Sequence, residues 1–385
     1  MTAFLAARIL LTRAGFLAGR LRPVRSRVAL GSAHGDRISG NLAWIRSGIE
    51  RDLPGVPIVE LTFWPGGPRT YARAAVHAFR SGYHLATARL FVVDDYYFPM
   101  YVVRPRAGTV FVQVWHACGA FKKFGHSVLL KQFGADAAGV GPIRIHSTYD
   151  RCLVSGVRFI PAFAEAFRLP AERFTSTLGI PRTDLFFDHD RAAATSAAVR
   201  ARYAIPAGKR VVLYAPTYRA SRMTTARDPL DLDIAALEAA IGTDHVLLLR
   251  SHPFVRAGAR LASGTAFAID VSDYPDVNEL MLVSDVLVTD YSSVIYEFAL
   301  LGRPMAFFAP DHTAYEAGRG FYFDYLTGVP GPVFTETIEL AAWLRAAAFD
   351  TERVQRFAAE SFDVADGRAT ARFVQQVVRP ALHLP

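Results

Sequence analysis

Short apolar runs alternate with stretches of helical periodicity along this chain, the pattern of an α/β protein with parallel sheets. Val28–Leu30, Ile58–Phe63, Leu90–Val93, Val110–Val114 and Arg151–Val154 read as the strands of a first half. A glycine-bearing loop (31–41) and a helix follow the first of them. Around LGIPRTDLFF (178–187) the pattern pauses at Gly179, Pro181 and Asp184, then resumes with a helix over 190–204. Val211–Tyr214, Val246–Leu249, Ala268–Asp270, Val286–Val288 and Met305–Phe308 form a second series of strands, each ending at a polar loop. Two such halves predict two Rossmann-like domains facing each other across a cleft, with ligands at the carboxyl ends of the strands. Helices over 337–347, 351–361 and 367–378 are expected to cap the assembly. The expected division is 1–27, a basic amphipathic helix; 28–180 and 181–350, the two domains; and 351–385, helices packing back.

Composition narrows the classes. The 385 residues are 51% hydrophobic and 20% charged, which excludes a disordered tail or a collagen-like chain. Two cysteines, Cys118 and Cys152, cannot staple a chain of this length, so a reducing cytoplasm is the default. The net charge, 43 − 35 = +8, favours polyanions: nucleic acid, phosphorylated substrates or an anionic membrane face. Arginine is spread through the chain and not gathered into the runs of a nucleic-acid-binding arm, so no nucleic-acid partner is expected. No stretch of ~18 uncharged apolar residues predicts a spanning helix. Residues 1–27 mix apolar positions with Arg8, Arg13, Arg20, Arg22, Arg25 and Arg27. Arg8 and Arg13 break the apolar stretch a signal peptide needs. That segment either lies on anionic lipid or packs on its own domain.

The candidate chemistry gathers at strand ends. In the second half, Val286–Val288 runs into Thr289-Asp290-Tyr291-Ser292-Ser293 and then a helix, whose hydroxyls and N–H groups either cap it or hold an anion such as phosphate. Glu297, one turn on, is placed to accept hydrogen bonds from ribose hydroxyls. VVLYAPTYR delivers Thr217 and Arg219, and VLLLRSHP delivers Arg250, Ser251 and His252. Each alone is an ordinary turn; together they describe a pyrophosphate pocket. In the first half, Val110–Val114 ends at Trp115-His116, followed by a turn carrying Lys122 and Lys123. A histidine at a strand terminus suits a general base, and the lysines suit phosphate. Asp94 and Asp95 either orient His116 or cap a helix. Cys118 reads as a small buried residue. Neither a Walker loop nor a metal-ligand cluster is evident, so no cofactor or metal is expected.

His34-Gly35 with Asn41, Asp94-Asp95-Tyr96, VWHACGAFKKFG, YDRCLVSG, GIPRTD, APTYR, RSHP, TDYSS, GRP and RGFYFDY occur in that order. Together they resemble the CDP-glycerol glycerophosphotransferase family, which builds the polyol-phosphate chains of teichoic acids. The resemblance implies a GT-B architecture, with acceptor on the N-terminal domain and CDP-polyol on the C-terminal one. It implies that His116 deprotonates the acceptor hydroxyl. It places His252, counted with His116 as catalytic, on the pyrophosphate with Arg219, Ser292 and Ser293, Asp290 in the same motif, Glu297 at the ribose, and His34 and Gly35 near the acceptor. With the strand-end reading, Thr217 and Arg250 join the donor set, and Lys122 and Lys123 the acceptor set. The implied reaction is attack of a hydroxyl of a lipid-linked polyol phosphate on the β-phosphorus of CDP-glycerol or CDP-ribitol, releasing CMP at the cytoplasmic face of the membrane. Ala-Cys-Gly after Trp115-His116, in place of Gly-Thr-Pro, leans toward the polymerase branch and leaves the polyol open. A GT-B glycosyltransferase or a sugar-nucleotide epimerase is the alternative.

Overall fold

A computed structural model describes residues 3–33, 35–63, 70–128, 143–219, 229, 231–252, 255 and 265–384. The chain forms two compact units. One comprises Met1–Cys118, Asp136–Asp184 and Phe362–Pro385; the other comprises Gly119–Ala135 and Leu185–Ser361. The C-terminal stretch, expected as one piece over 351–385, is therefore divided between the units at 361/362. The Lys122–Lys123 turn belongs to the second unit.

The first unit carries a wholly parallel sheet of β1 (Arg25–Ser32), β2 (Ile58–Thr62), β3 (Ala88–Val93), β4 (Val110–Gln113), β5 (Arg151–Leu153) and β6 (Phe174–Thr175). Their order is β2-β1-β3-β4-β5-β6. The strands are nearly continuous apolar runs because a parallel sheet is covered on both faces. The two-residue β6 lies below the length at which an apolar run is legible in the sequence. Helix α1 (Ala3–Arg20) packs along α3 (Thr70–Thr87), with α2 (Gly40–Asp52) between them in sequence. Glycines set that approach: a Cβ on Gly15 would lie 2.0 Å from the carbonyl oxygen of Phe79, and one on Gly82 equally close to that of Thr12. Arg13 Nε donates to the carbonyl of Val102 at 3.1 Å. The N-terminal helix thus packs on its own unit, one of the two alternatives left open by its sequence. No helix among the described residues is long and apolar enough to cross a membrane.

The second unit repeats the plan with β7 (Arg210–Tyr214), β8 (His245–Leu249), β9 (Ala268–Asp270), β10 (Val286–Thr289), β11 (Met305–Phe308) and β12 (Val333–Phe334). All pairs are parallel, in the order β12-β11-β10-β7-β8-β9. This is the Rossmann order 3-2-1-4-5-6, read from the far edge. Period-two alternation sends Val212, Leu247, Val286 and Ala306 to one face, beneath Leu237, Ile241, Leu340 and Leu344 of helices Ile234–Ile241 and Thr337–Ala346. Asp184 closes the first unit's C-terminal segment: its carboxylate accepts the N–H groups of Ala369 (2.9 Å) and Thr370 (2.8 Å) at the start of helix Ala369–Phe373. The GIPRTD motif is in this respect a structural clasp.

Candidate active site

In the second unit strand order reverses between β7 and β10, the switch point where open α/β sheets bind ligands. Thr289 Oγ1 donates to the Ala215 carbonyl at 2.7 Å and pins the two strand ends together. Asp290, next in sequence, is fully buried. Its Oδ1 accepts the Thr217 N–H at 2.7 Å and its Oδ2 accepts Arg219 Nη1 at 2.8 Å. Asp311, just past β11, grips the same guanidinium through Nε (2.6 Å) and Nη2 (2.9 Å). The guanidinium also lies 5.0 and 5.2 Å from the ring centroids of Tyr291 and Tyr315. Burial alone would lower the Arg219 pKa, but Asp290 and Asp311 outweigh it and raise it. Burial pushes the Asp311 carboxyl up, and the Arg219 and Tyr291 bonds more than offset this and hold it below the usual carboxylate range. Arg219 is thus a permanent, tightly held positive charge.

Lys122 lies against this cradle. Its Nζ is 3.4 Å from Thr217 Oγ1, and its backbone bridges Phe321. The Lys123 N–H donates to Gly320 at 3.0 Å, while Arg319 Nε donates to the Lys123 carbonyl at 3.0 Å. Burial, then repulsion from Arg319 and Arg219, pushes the Lys122 pKa down to about 7 against the pull of Asp290.

Arg250 is turned to the scaffold: its Nη1 donates to the carbonyls of Ser251 (3.1 Å) and Ser272 (2.6 Å). That steadies the half-buried His252, whose ring lies 4.6 Å from the Tyr218 ring. Ser293 precedes helix Val294–Ala299 without a side-chain cap bond, and Ser292 Oγ accepts the Val294 N–H only at 3.5 Å. Neither hydroxyl is committed to a strong cap. The helix has six residues, so its dipole adds little and the hydroxyls and N–H groups carry any anion affinity. Glu297, on its inner face, is 2% exposed.

In the first unit, β4 pairs with β3 until Val114 N–H reaches the Val93 carbonyl at 2.8 Å. Trp115 then turns into the left-handed region at φ 50°, a conformation worth roughly 1–3 kcal/mol of strain for a bulky side chain. His116 follows, its side chain 43% exposed, with Nδ1 3.6 Å from Asp95 Oδ1. Asn41 donates to the carbonyls of Val114 (3.1 Å) and Trp115 (2.9 Å), and Arg182 Nη1 donates to that of His116 (2.7 Å). The exposed imidazole is therefore held by its backbone on one side and faces a carboxylate on the other.

The signature described as CDP-Glycerol:Poly(glycerophosphate) glycerophosphotransferase matches residues 17–379. The chain belongs to this glycerophosphotransferase family. It is 38% identical over 361 residues to the teichoic acid ribitol-phosphate primase of Bacillus spizizenii, covering 92% of each chain. It is 36% identical over 300 residues to the poly(ribitol-phosphate) polymerase of the same organism, spanning 77% of this chain and 48% of that one. The fold is that of the wall teichoic acid polymerase TagF, with a TM-score of 0.80 at 25% identity over 98% of this chain and 95% of the other. The two Rossmann-like units thus follow the GT-B type, and membership of the glycerophosphotransferases sets the sugar-transfer alternative aside. The chain is a CDP-polyol phosphotransferase.

Within this family frame the structure sorts the sequence-derived residues. Thr217, Arg219, Asp290 and Asp311 meet in one hydrogen-bonded group. Lys122, expected with Lys123 to hold phosphate, lies in the second unit, 3.4 Å from Thr217 Oγ1, a residue expected on the donor side. Of the two carboxylates left open, Asp95 faces His116, while Asp94 accepts Ser32 Oγ at 3.1 Å. His34 lies outside the described residues; Gly35 is half-buried just after β1. Asp311 and Gln113 carry no expected role from the sequence, although Asp311 is a polar residue just past a strand's carboxyl end and Gln113 is the lone polar position of an apolar strand.

Proposed function

We propose that this enzyme transfers glycerol phosphate or ribitol phosphate from the CDP-polyol to a hydroxyl of a lipid-linked polyol phosphate. His116, oriented by Asp95, takes the proton of that hydroxyl; the freed oxygen attacks the β-phosphorus, the bond to the bridging oxygen breaks, and CMP leaves with the electron pair. The exposed His116 opposite Asp95 at 3.6 Å is the observation that carries this reading. On the donor side, Thr217, Lys122, His252 and the Ser292-Ser293 hydroxyls and N–H groups contact the pyrophosphate. Arg219, locked between Asp290 and Asp311, supplies fixed positive charge and the shape of the loop. Arg250 acts through the His252 loop, Glu297 supports the ribose side, and Gly35 with His34 belongs to the acceptor side. CMP release from CDP-glycerol and CDP-ribitol, with a membrane acceptor extract, tests the assignment and identifies the polyol. No CMP from either would overturn it.

The Lys122 assignment has its own test. With the site empty, Lys122 is largely neutral at pH 8, since its pKa is about 7. A pyrophosphate beside it favours the ammonium, so donor binding at pH 8 takes up a proton. Affinity then weakens by up to about tenfold per pH unit above 7. Calorimetry in buffers of different ionisation enthalpy reads the uptake, and Lys122→Met abolishes it. Proton-independent binding by the unsubstituted enzyme would remove Lys122 from the donor set.

We place the enzyme on the cytoplasmic face of an anionic membrane through the outer side of α1 and α3. Leu10, Leu17 and Leu21 are 66%, 62% and 85% exposed, and Tyr71, Val76 and Phe79 of α3 are exposed as well. Arg20, Arg22 and Arg80, next to them in sequence, are exposed too, a composition suited to the headgroup boundary. Sedimentation with vesicles containing anionic lipid is expected to fall several-fold in Leu17→Glu/Leu21→Glu, with soluble-acceptor turnover retained. Unchanged sedimentation would place the contact elsewhere.

A further inference from the structure

Gln113 ends β4 with its side chain fully buried. A primary amide offers two N–H donors and a carbonyl acceptor, and here each has a partner. Nε2 donates to the main-chain carbonyl of Asp95 at 3.1 Å and to the Tyr149 hydroxyl at 2.9 Å. Oε1 accepts the Trp115 N–H at 2.8 Å. One side chain therefore ties the backbone of Asp95 to the residue immediately before His116. We propose that Gln113 is a positioning residue for phosphotransfer, its carboxamide setting the separation and orientation of the His116–Asp95 pair.

The geometry supports this beyond packing. Trp115 adopts its left-handed turn only because its surroundings hold it. Asn41 secures the carbonyl side of that turn, and Gln113 secures the N–H side. Of these two, Gln113 also reaches Asp95. An apolar side chain of equal volume would fill the space and leave the buried Trp115 N–H and Asp95 carbonyl without these bonds. Relaxation of Trp115 toward an ordinary φ would then swing His116 away from Asp95. The amide is itself anchored from behind: the Tyr149 hydroxyl lies 2.5 Å from that of Tyr101 and 3.1 Å from His146 Nδ1. A network that fixes which end of the amide points where is what a directional hold needs.

The inference rests on His116 serving as the base. The test is Gln113→Met, which keeps an unbranched side chain of similar length without the three bonds. Its kcat is expected to fall roughly 10- to 100-fold, the scale of a sub-ångström to ångström misplacement. KM and Kd for the CDP-polyol stay within about two-fold, since the donor set lies in the other unit. Combined with Asp95→Asn, the losses are expected to be non-additive, because both changes remove the same orientation. A kcat within about two-fold of the unsubstituted enzyme, or fully additive losses, would overturn the proposal. If Gln113→Met fails to bind donor and so to fold, Tyr149→Phe is read the same way, with a smaller, non-additive fall in kcat supporting the hold and an absent or additive fall overturning it. His116→Ala separates the two claims. Full activity in that variant removes the base assignment itself, whereas an inactive His116→Ala beside an unaffected Gln113→Met removes only the hold.

Discussion

His116→Ala is expected to lower kcat by roughly 10²–10⁴-fold, the contribution of a positioned general base, while leaving the Kd for the CDP-polyol within about two-fold. The split follows from where the groups lie. His116 belongs to the first unit, and Thr217, Lys122, His252, Ser292 and Ser293 belong to the second. On the proposed assignment, removing the imidazole takes away the proton acceptor for the attacking hydroxyl and touches no residue of the proposed pyrophosphate set. Asp95→Asn keeps the imidazole but not the facing negative charge, so a smaller loss in kcat is expected, with His116→Ala/Asp95→Asn no slower than His116→Ala alone. Single-turnover CMP release with donor in excess isolates the chemical step. A kcat for His116→Ala within about tenfold of the unsubstituted enzyme would move the base elsewhere, since general-base losses start near 10².

The fold was legible wherever an apolar run was long enough to declare itself. The ten strands anticipated from sequence all form, with ends shifted by at most three residues. Phe174–Thr175 and Val333–Phe334, at two residues each, were not anticipated. They are edge strands that exist because a neighbour offers a ladder to extend. Which unit a segment joins was harder to see. Lys122 follows His116 by six positions, and both fall within the expected first domain, 28–180. Pairing of Lys122 with Phe321 and of Lys123 with Gly320 overrides that proximity, and no local pattern announces a bond across nearly two hundred residues.

The site was legible as chemistry but not as hierarchy. Strand-end position correctly marked Thr217, Arg219, Asp290 and His116 as polar groups at carboxyl ends, which periodicity can show. It could not show that Arg219 and Asp290 face each other more than they face solvent. That depends on Asp311, at the end of a different strand, and on the aromatic rings of Tyr291 and Tyr315 that shield the group. For the same reason Gln113 escaped notice. Its importance lies in three bonds to Asp95, Trp115 and Tyr149, and only the second is local in sequence.

That hierarchy makes Asp290 the most costly position to alter in the second unit. Asp290→Ala leaves the buried Thr217 N–H without its acceptor and takes one of two carboxylates from the Arg219 guanidinium, which Asp311 and the Thr217 carbonyl still hold. Breaking a buried pair from one side costs about 3–5 kcal/mol. At roughly 2–4 °C per kcal/mol for a unit of this size, Tm is expected to fall by about 10 °C. Donor affinity falls with it, because the loop presenting Thr217 loses its hold, while a donor-independent property such as vesicle binding is retained. Arg219→Met/Asp290→Ala then discriminates between stability and function. Removing both side chains takes the guanidinium from Asp311 as well, so the double variant is expected to recover at most part of the lost Tm. On the proposed assignment it does not recover CDP-polyol binding, because the Arg219 charge proposed to face the pyrophosphate has gone. Thermal denaturation and donor titration of the three variants read the two quantities separately. A melting temperature for Asp290→Ala near that of the unsubstituted enzyme, or donor binding restored in the double variant, would show that the Asp290–Arg219 pair is not what organises the phosphate site.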